Sequence, residues 1–263
     1  MDSSRYGPWA LVTGGAQGIG AAFATALAAS GLSLVLVDRD ASALKDTAGA
    51  VRGCGVDVVP IALDLADRDA ATTIIGAIDK LDVGLFVSNA AISVVGRFNS
   101  QSLESKLAQL DVNCRVPLVL VDHLLPRLVA RQRGGVILLS SGSAMRGSPL
   151  VAAYAATKAW NLLLAESLWD EVRGDGVDVL AVLPGTTRTP GWLSDDPQES
   201  LSTANVMEPA DVVDEALDAL GRQPSIVPGQ ANRDAEAYMA RLDRAEAVTI
   251  VGQVMRTTYP GRA

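Results

Sequence analysis

Tyr154 and Lys158 stand four positions apart at the head of the run "YAATKAWNLLLAESLWDEV". Positions i and i+4 share one face of a helix, so a phenol hydroxyl and an ammonium would lie one turn apart. An unperturbed tyrosine, with a pKa of about 10, is a poor base near neutrality. A neighbouring ammonium stabilises the phenolate and lowers that pKa towards the working range. The chemistry this allows is proton transfer to or from a substrate oxygen. An exposed aromatic beside an exposed cation would have the same spacing, and the pair alone does not choose between the two.

A second candidate is the turn "TGGAQGIG", Thr13 to Gly20. Gly14, Gly18 and Gly20 allow a tight turn and a close approach of backbone to a diphosphate, and the free N–H groups of the following helix would face its charge. A purely structural strand-to-helix turn competes with this reading. Eighteen residues further on, Asp38 could accept hydrogen bonds from adenosine ribose hydroxyls and would repel a 2′-phosphate, which favours NAD over NADP. Arg39 next door could pair with that phosphate, whereas Gln17 in the turn adds no second cation. Asp64, in "ALDLAD", could accept from an adenine amino group or simply cap a helix.

These residues need elements that deliver them to one place. "PWALVT", "LSLVLVD", "VDVVPIAL", "VGLFVS", "GVILLS" and "VDVLAVLP" are short apolar runs rich in Val, Leu and Ile, each expected to be a fully buried strand. Between them lie segments with helical spacing, such as "IGAAFATALAAS". Strands alternating with helices predict βαβ units and a parallel sheet covered on both faces. Ligands of such sheets bind beyond the carboxyl ends of the strands, where both candidates fall. No linker or repeat divides the chain, so residues 1–263 are expected to form a single domain.

Bulk properties narrow the function. The formal net charge of −8 disfavours nucleic acid and anionic lipid as partners. Cys54 and Cys114 are too few for a disulfide framework, and no Cys/His cluster has zinc-ligand spacing, so no metal is expected. His123 is the only histidine and lies in "VDHLLPRL", away from any nucleophile motif, which removes a Ser-His-Asp triad. The N-terminus lacks a secretory signal pattern, and no apolar run approaches the roughly 20 residues that span a bilayer. A cytoplasmic protein is expected, without membrane attachment.

Taken in order, "TGGAQGIG", "SNAA", "DVNCRVP", "SSGSAMRG", "YAATK" and "PGTTRT" make the chain resemble the short-chain dehydrogenase/reductase family from about residue 8 to residue 190. The tail run "SIVPGQANR" is similar to a branch grouped with fatty-acyl and steroid ketone reductases. The resemblance implies a Rossmann-type, doubly wound α/β fold, a three-layer αβα sandwich around a mostly parallel sheet of seven strands. It implies a catalytic set of Asn113, Ser141, Tyr154 and Lys158. It implies a cofactor set of Gly14, Gln17, Gly18, Ile19, Gly20, Asp38, Arg39, Asp64, Leu65, Asn89, Pro184, Gly185, Thr187 and Thr189, with Tyr154 and Lys158 also touching the cofactor. Ser140 and Ser143 are off register. "SNAA" departs from the family's usual "NNAG", and Thr187 stands where an aliphatic residue is usual.

On this resemblance, Ser141 would donate to the substrate oxygen and Asn113 would hold a water linking Lys158 to solvent. The expected activity is interconversion of a hydrophobic secondary alcohol and its ketone, with NAD preferred and NADP as the alternative cofactor. Residues 190–208 are expected to form a substrate lid and residues near 231–256 a helical tail. Trp192, Met145 and Leu150 could line an apolar pocket. Trp160 lies on a helix the family commonly buries between subunits, so a homodimer or homotetramer is expected. A non-catalytic dinucleotide-binding regulatory protein is the alternative, and an epimerase or dehydratase would usually need a longer C-terminal domain.

Overall fold

Each apolar run becomes a strand, and a seventh follows near the C-terminus. The structure is a computed structural model that describes residues 1–198 and 204–262. Strands β1 (Trp9–Thr13), β2 (Ser33–Asp38), β3 (Val58–Ala62), β4 (Val83–Ser88), β5 (Gly134–Leu139), β6 (Val177–Val182) and β7 (Ser225–Ile226) form one sheet of order β3-β2-β1-β4-β5-β6-β7. Every neighbouring pair is parallel. The helices are α1 (Ser3–Tyr6), α2 (Gly18–Ala29), α3 (Ala41–Arg52), α4 (Ala70–Ile78), α5 (Leu103–Leu110), α6 (Val116–Ala130), α7 (Ala152–Val172), α8 (Pro190–Leu193), α9 (Pro209–Ala219), α10 (Gln230–Met239) and α11 (Arg244–Thr258).

Successive strand residues point to opposite faces, so each inner strand feeds two cores. Ala10, Val12, Leu34 and Leu36 pack with Phe23, Leu27, Leu44 and Val212 of α2, α3 and α9. Leu11, Val35 and Val37 pack on the other face with Ile74, Leu120 and Ala165 of α4, α6 and α7. The result is the expected three-layer sandwich. The strand order reverses between β1 and β4, and the crevice beyond their carboxyl ends is where such a fold binds ligands.

One expectation is corrected. β3 is not fully buried: it is the edge strand, and Val59, Pro60 and Ala62 face solvent. Leu34 N donates to Asp57 O and Leu63 N to Asp38 O, so by strand alternation residue 60 points away from β2. Pro60 therefore removes no ladder bond. The segment near 231–256 is helical, in two pieces: the turn at 240–243 separates α10 from α11, whose N-cap Asp243 accepts from Glu246 N. Of the lid segment, α8 and its flanks are described, while 199–203 lie outside the described residues.

The end of the sheet away from the crevice is closed by α1. Asp178 on β6 accepts from Arg5 Nε at 2.6 Å, Arg5 Nη2 at 2.8 Å and the Tyr6 hydroxyl. The carboxylate is mostly buried whereas the guanidinium is half-exposed. Asp178→Ala strands the Tyr6 hydroxyl and unties α1, so a loss of about 2 kcal/mol in denaturant-derived stability is expected, with activity retained in the folded fraction.

Candidate active site

The turn after β1 is built as the glycines required. Gly14 (φ 67) and Gly18 (φ 56) occupy the left-handed region. A Cβ on Gly20 would collide with the Gly14 carbonyl, so α2 starts this close to the turn only with glycine there. Asn89, just past β4, donates through Nδ2 to Thr13 O at 3.1 Å and Gly14 O at 2.9 Å, locking the turn to the neighbouring strand.

A cavity of about 320 Å³ opens at this point, lined by Gly14, Gln17, Gly18, Ile19, Asp38, Arg39, Asp64, Leu65, Asn89 and Thr189. Its chemistry fits a dinucleotide: the free N–H groups of α2 for a diphosphate, and carboxylates for hydroxyl and amino donors. Asp38 Oδ2 accepts from Ala16 N and Oδ1 from Asp40 N, both at 3.1 Å, which aims the carboxylate and leaves each oxygen a further lone pair. Arg39 is exposed and pairs with no described residue. Asp64 caps no helix but shapes its own turn, accepting from Ala66 N at 2.9 Å, and it also lines the cavity.

Pro184, Gly185 and Thr187 follow β6 and lie outside this cavity, on the far side of β4. Thr187 is buried and its hydroxyl donates to Gly185 O at 3.1 Å. Thr189 caps α8 by accepting from Trp192 N, and its methyl stands where a Cβ on Gly18 would sit. The segment after β6 thus closes against the glycine turn.

Ser141 follows β5 and Tyr154 and Lys158 sit in the first two turns of α7. The Ser141 side chain stands beside the Tyr154 hydroxyl and favours its ionised form. Ser143 N and Oγ both donate to Ser141 Oγ, at 3.2 and 3.0 Å. Ser140 is indeed off register: its hydroxyl donates to Lys158 O at 2.7 Å, tying β5 to α7. Lys158 is buried, its Nζ donating to Leu139 O at 2.7 Å and standing 5.6 Å from the Tyr154 ring centroid.

The lowered phenol expected from the spacing is absent in this arrangement. Burial pushes Tyr154 above its usual value, Ser141 pulls it back in part, and Tyr259 pushes it up again. The cation is turned towards a backbone carbonyl, and burial brings Lys158 itself down to about 8. Desolvation therefore sets the direction for both groups here.

Asn113 lies in a π-helical turn (Asp111–Arg115) between α5 and α6, the kind of helix defect that recurs at functional sites. Its Oδ1 accepts from Ile92 N, and its Nδ2 donates to Ile92 O and Thr157 Oγ1, all at 2.9 Å. Its carbonyl accepts from Asn161 Nδ2. Both amide protons are committed, so the side chain ties the loop after β4 to α7, and only acceptor capacity is left for a water.

Sequence reasoning missed part of the chamber around Tyr154. Val95, Leu150, Val151 and Tyr259 form a small buried cluster against which Tyr154 and Met255 pack. Gln198 N donates to Thr258 O at 2.8 Å, so the segment that follows α8 meets the C-terminal end here. Of the three residues expected around an apolar pocket, Leu150 lies in this cluster, Trp192 is not part of it, and Met145 is exposed. Val95 could have been found from the carboxyl-end rule; nothing in the sequence singles out Tyr259. Cys114 and Cys54 are free thiols, and burial pushes Cys114 up to about 11. Among the described residues no cluster could hold a metal ion, and no helix is long and apolar enough to cross a membrane.

A family model described as short chain dehydrogenase matches residues 8–200. The chain is 31% identical to a 7beta-hydroxysteroid dehydrogenase of Clostridium sardiniense, over 95% of this chain and 96% of that one. A solved structure concerned with 7beta-hydroxysteroid dehydrogenase stereoselectivity superposes with a TM-score of 0.89 at 32% identity, covering 95% of this chain and 98% of its own. A bulky-bulky ketone specific alcohol dehydrogenase from Comamonas testosteroni superposes with a TM-score of 0.76 at 25% identity, covering 91% and 96%.

Proposed function

Because the chain belongs to the short-chain dehydrogenase family, whose members are oxidoreductases that bind a nicotinamide dinucleotide, we propose that it interconverts a bulky, hydrophobic secondary alcohol of steroid size and its ketone. The observation that carries this is the hydroxyl pair Ser141–Tyr154, with Lys158 one turn along α7, set in an apolar wall beside the dinucleotide cradle. A bound nicotinamide supplies or accepts the hydride. Tyr154 gives the proton to the carbonyl oxygen in reduction and takes it back in oxidation. Ser141 donates a hydrogen bond to the same oxygen and stabilises its developing charge. Lys158 supports the phenolate, and Asn113 holds the loop after β4 against α7. Residues 1–263 are proposed to act as one catalytic domain.

NAD is the proposed cofactor, because the Asp38 carboxylate faces the cradle and would repel a 2′-phosphate, although Arg39 is available beside it. Val95, Leu150 and Tyr259 support an apolar substrate. Phe98, Leu103, Leu107, Leu110, Leu118 and Leu163 stand exposed on or next to α5, α6 and α7, which supports burial of this face against a second copy.

The test is turnover over a panel of hydroxysteroids and bulky ketones with NADH and NADPH side by side. Oxidation or reduction at a ring hydroxyl is expected, with kcat/KM at least about tenfold higher for the NAD couple. Cofactor binding without turnover of any member would return the protein to the regulatory class.

A further inference from the structure

The run "SIVPGQANR", Ser225 to Arg233, contains no group assigned a task above, yet it ends beside the nicotinamide segment. β7 pairs with the last residues of β6, Val182 opposite Ile226, and Leu183 N donates to Ile226 O at 2.8 Å. The run is therefore registered to the strand that delivers Pro184. Gly229 then turns the chain with φ 83, and its N–H donates to Glu215 Oε1 at 3.0 Å. Arg233 Nη1 donates to Glu215 Oε2 at 2.6 Å and to Val227 O at 2.9 Å. Both ends of the turn are anchored to α9.

The anchored turn aims one side chain. A Cβ on Gly185 would lie 2.6 Å from Asn232 Oδ1 and 2.7 Å from both Cγ and Nδ2, so the carboxamide is packed on the bare Cα of that glycine. Asn232 Nδ2 donates to Pro228 O at 2.9 Å and to Met207 Sδ at 3.4 Å. Met207 is itself zipped to the same segment, donating from N to Thr186 O at 3.0 Å and accepting from Arg188 N at 2.9 Å. One carboxamide thus backs the segment at Gly185 directly and at Thr186–Arg188 through the Met207 sulfur.

We propose that Asn232 is a positioning residue for the nicotinamide end of the cofactor, its carboxamide bracing Gly185 and Met207 from behind so that residues 184–189 are held at one height above the hydride-transfer site. This rests on the oxidoreductase reading above, since it assumes that the segment carries the nicotinamide. The brace accounts for glycine at 185 without any ligand being invoked: a methyl there would have to displace the Asn232 carboxamide.

The test compares NADH with ADP-ribose, which carries the adenosine and diphosphate but no nicotinamide. In Asn232→Ala the NADH dissociation constant, read by the fluorescence of the bound cofactor, is expected to rise about tenfold, and kcat to fall about tenfold. The ADP-ribose constant should stay within about twofold, because its contacts lie at the other end of the crevice. Asn232→Asp keeps the shape but loses the donors and should lie between the two. Gly185→Ala should also weaken NADH, and adding Asn232→Ala should recover part of that loss by vacating the space. Equal loss for NADH and ADP-ribose, no loss for either, or additive losses in the double variant would overturn the proposal. If wild type binds NADH but turns over no ketone, the assigned reaction fails while this binding comparison still stands.

Discussion

Tyr154→Phe is expected to lower ketone reduction about a thousandfold while NADH binds as in wild type. The variant removes one oxygen and leaves the ring in its cluster with Val95, Leu150, Val151 and Tyr259, so packing changes little. Ser141 keeps both donors from Ser143. The carbonyl oxygen would still be polarised by Ser141, yet no phenol would remain to deliver its proton, and a serine hydroxyl is a far weaker acid. Steady-state rates together with cofactor titration check this. A variant that turned over at the wild-type rate would move the proton to another carrier and end the assignment of Tyr154.

Lys158→Met should be nearly as damaging, by about a hundredfold in kcat, because it deletes the one cation buried beside the phenol. The pH dependence identifies that cation. Burial brings Lys158 from its ordinary value near 10.5 down to about 8. Below pH 8 the ammonium carries its charge; as pH rises through 8 it becomes a neutral amine and its support for the phenolate is lost. Wild-type reduction is therefore expected to decline on the alkaline side with a midpoint near 8, and the residual rate of Lys158→Met should lack that limb. A pH–rate profile with an unchanged alkaline limb in the variant would assign the titration to another group.

Most of the architecture was legible because hydrophobic runs and glycines report on backbone needs. "VGLFVS" and "GVILLS" are inner strands, buried on both faces, and apolar throughout. "VDVVPIAL" has the same composition but ends at the sheet edge, and only Pro60 hinted at it. The glycine turn was legible since Gly14 and Gly18 adopt conformations other residues avoid. Side-chain direction was not legible in the same way. Spacing put Lys158 one turn from Tyr154, but the tug of Leu139 O on its ammonium and the weight of desolvation on the phenol arise from residues far away in the chain. Asn113 was found as a residue, yet the partners that use up its amide protons, Ile92 and Thr157, come from two other elements. Tyr259 and Asn232 reach their neighbours from far along the chain, and one sequence carries no pattern for that.

Pro60 has a consequence that concerns the fate of the protein at high concentration. A bare sheet edge invites growth by docking of foreign strands, the first step towards fibres. On the outer side of β3 the missing N–H interrupts the row of donors a newcomer would need, at no cost to the ladder with β2. A single imino acid thus makes this rim a poor template for polymerisation.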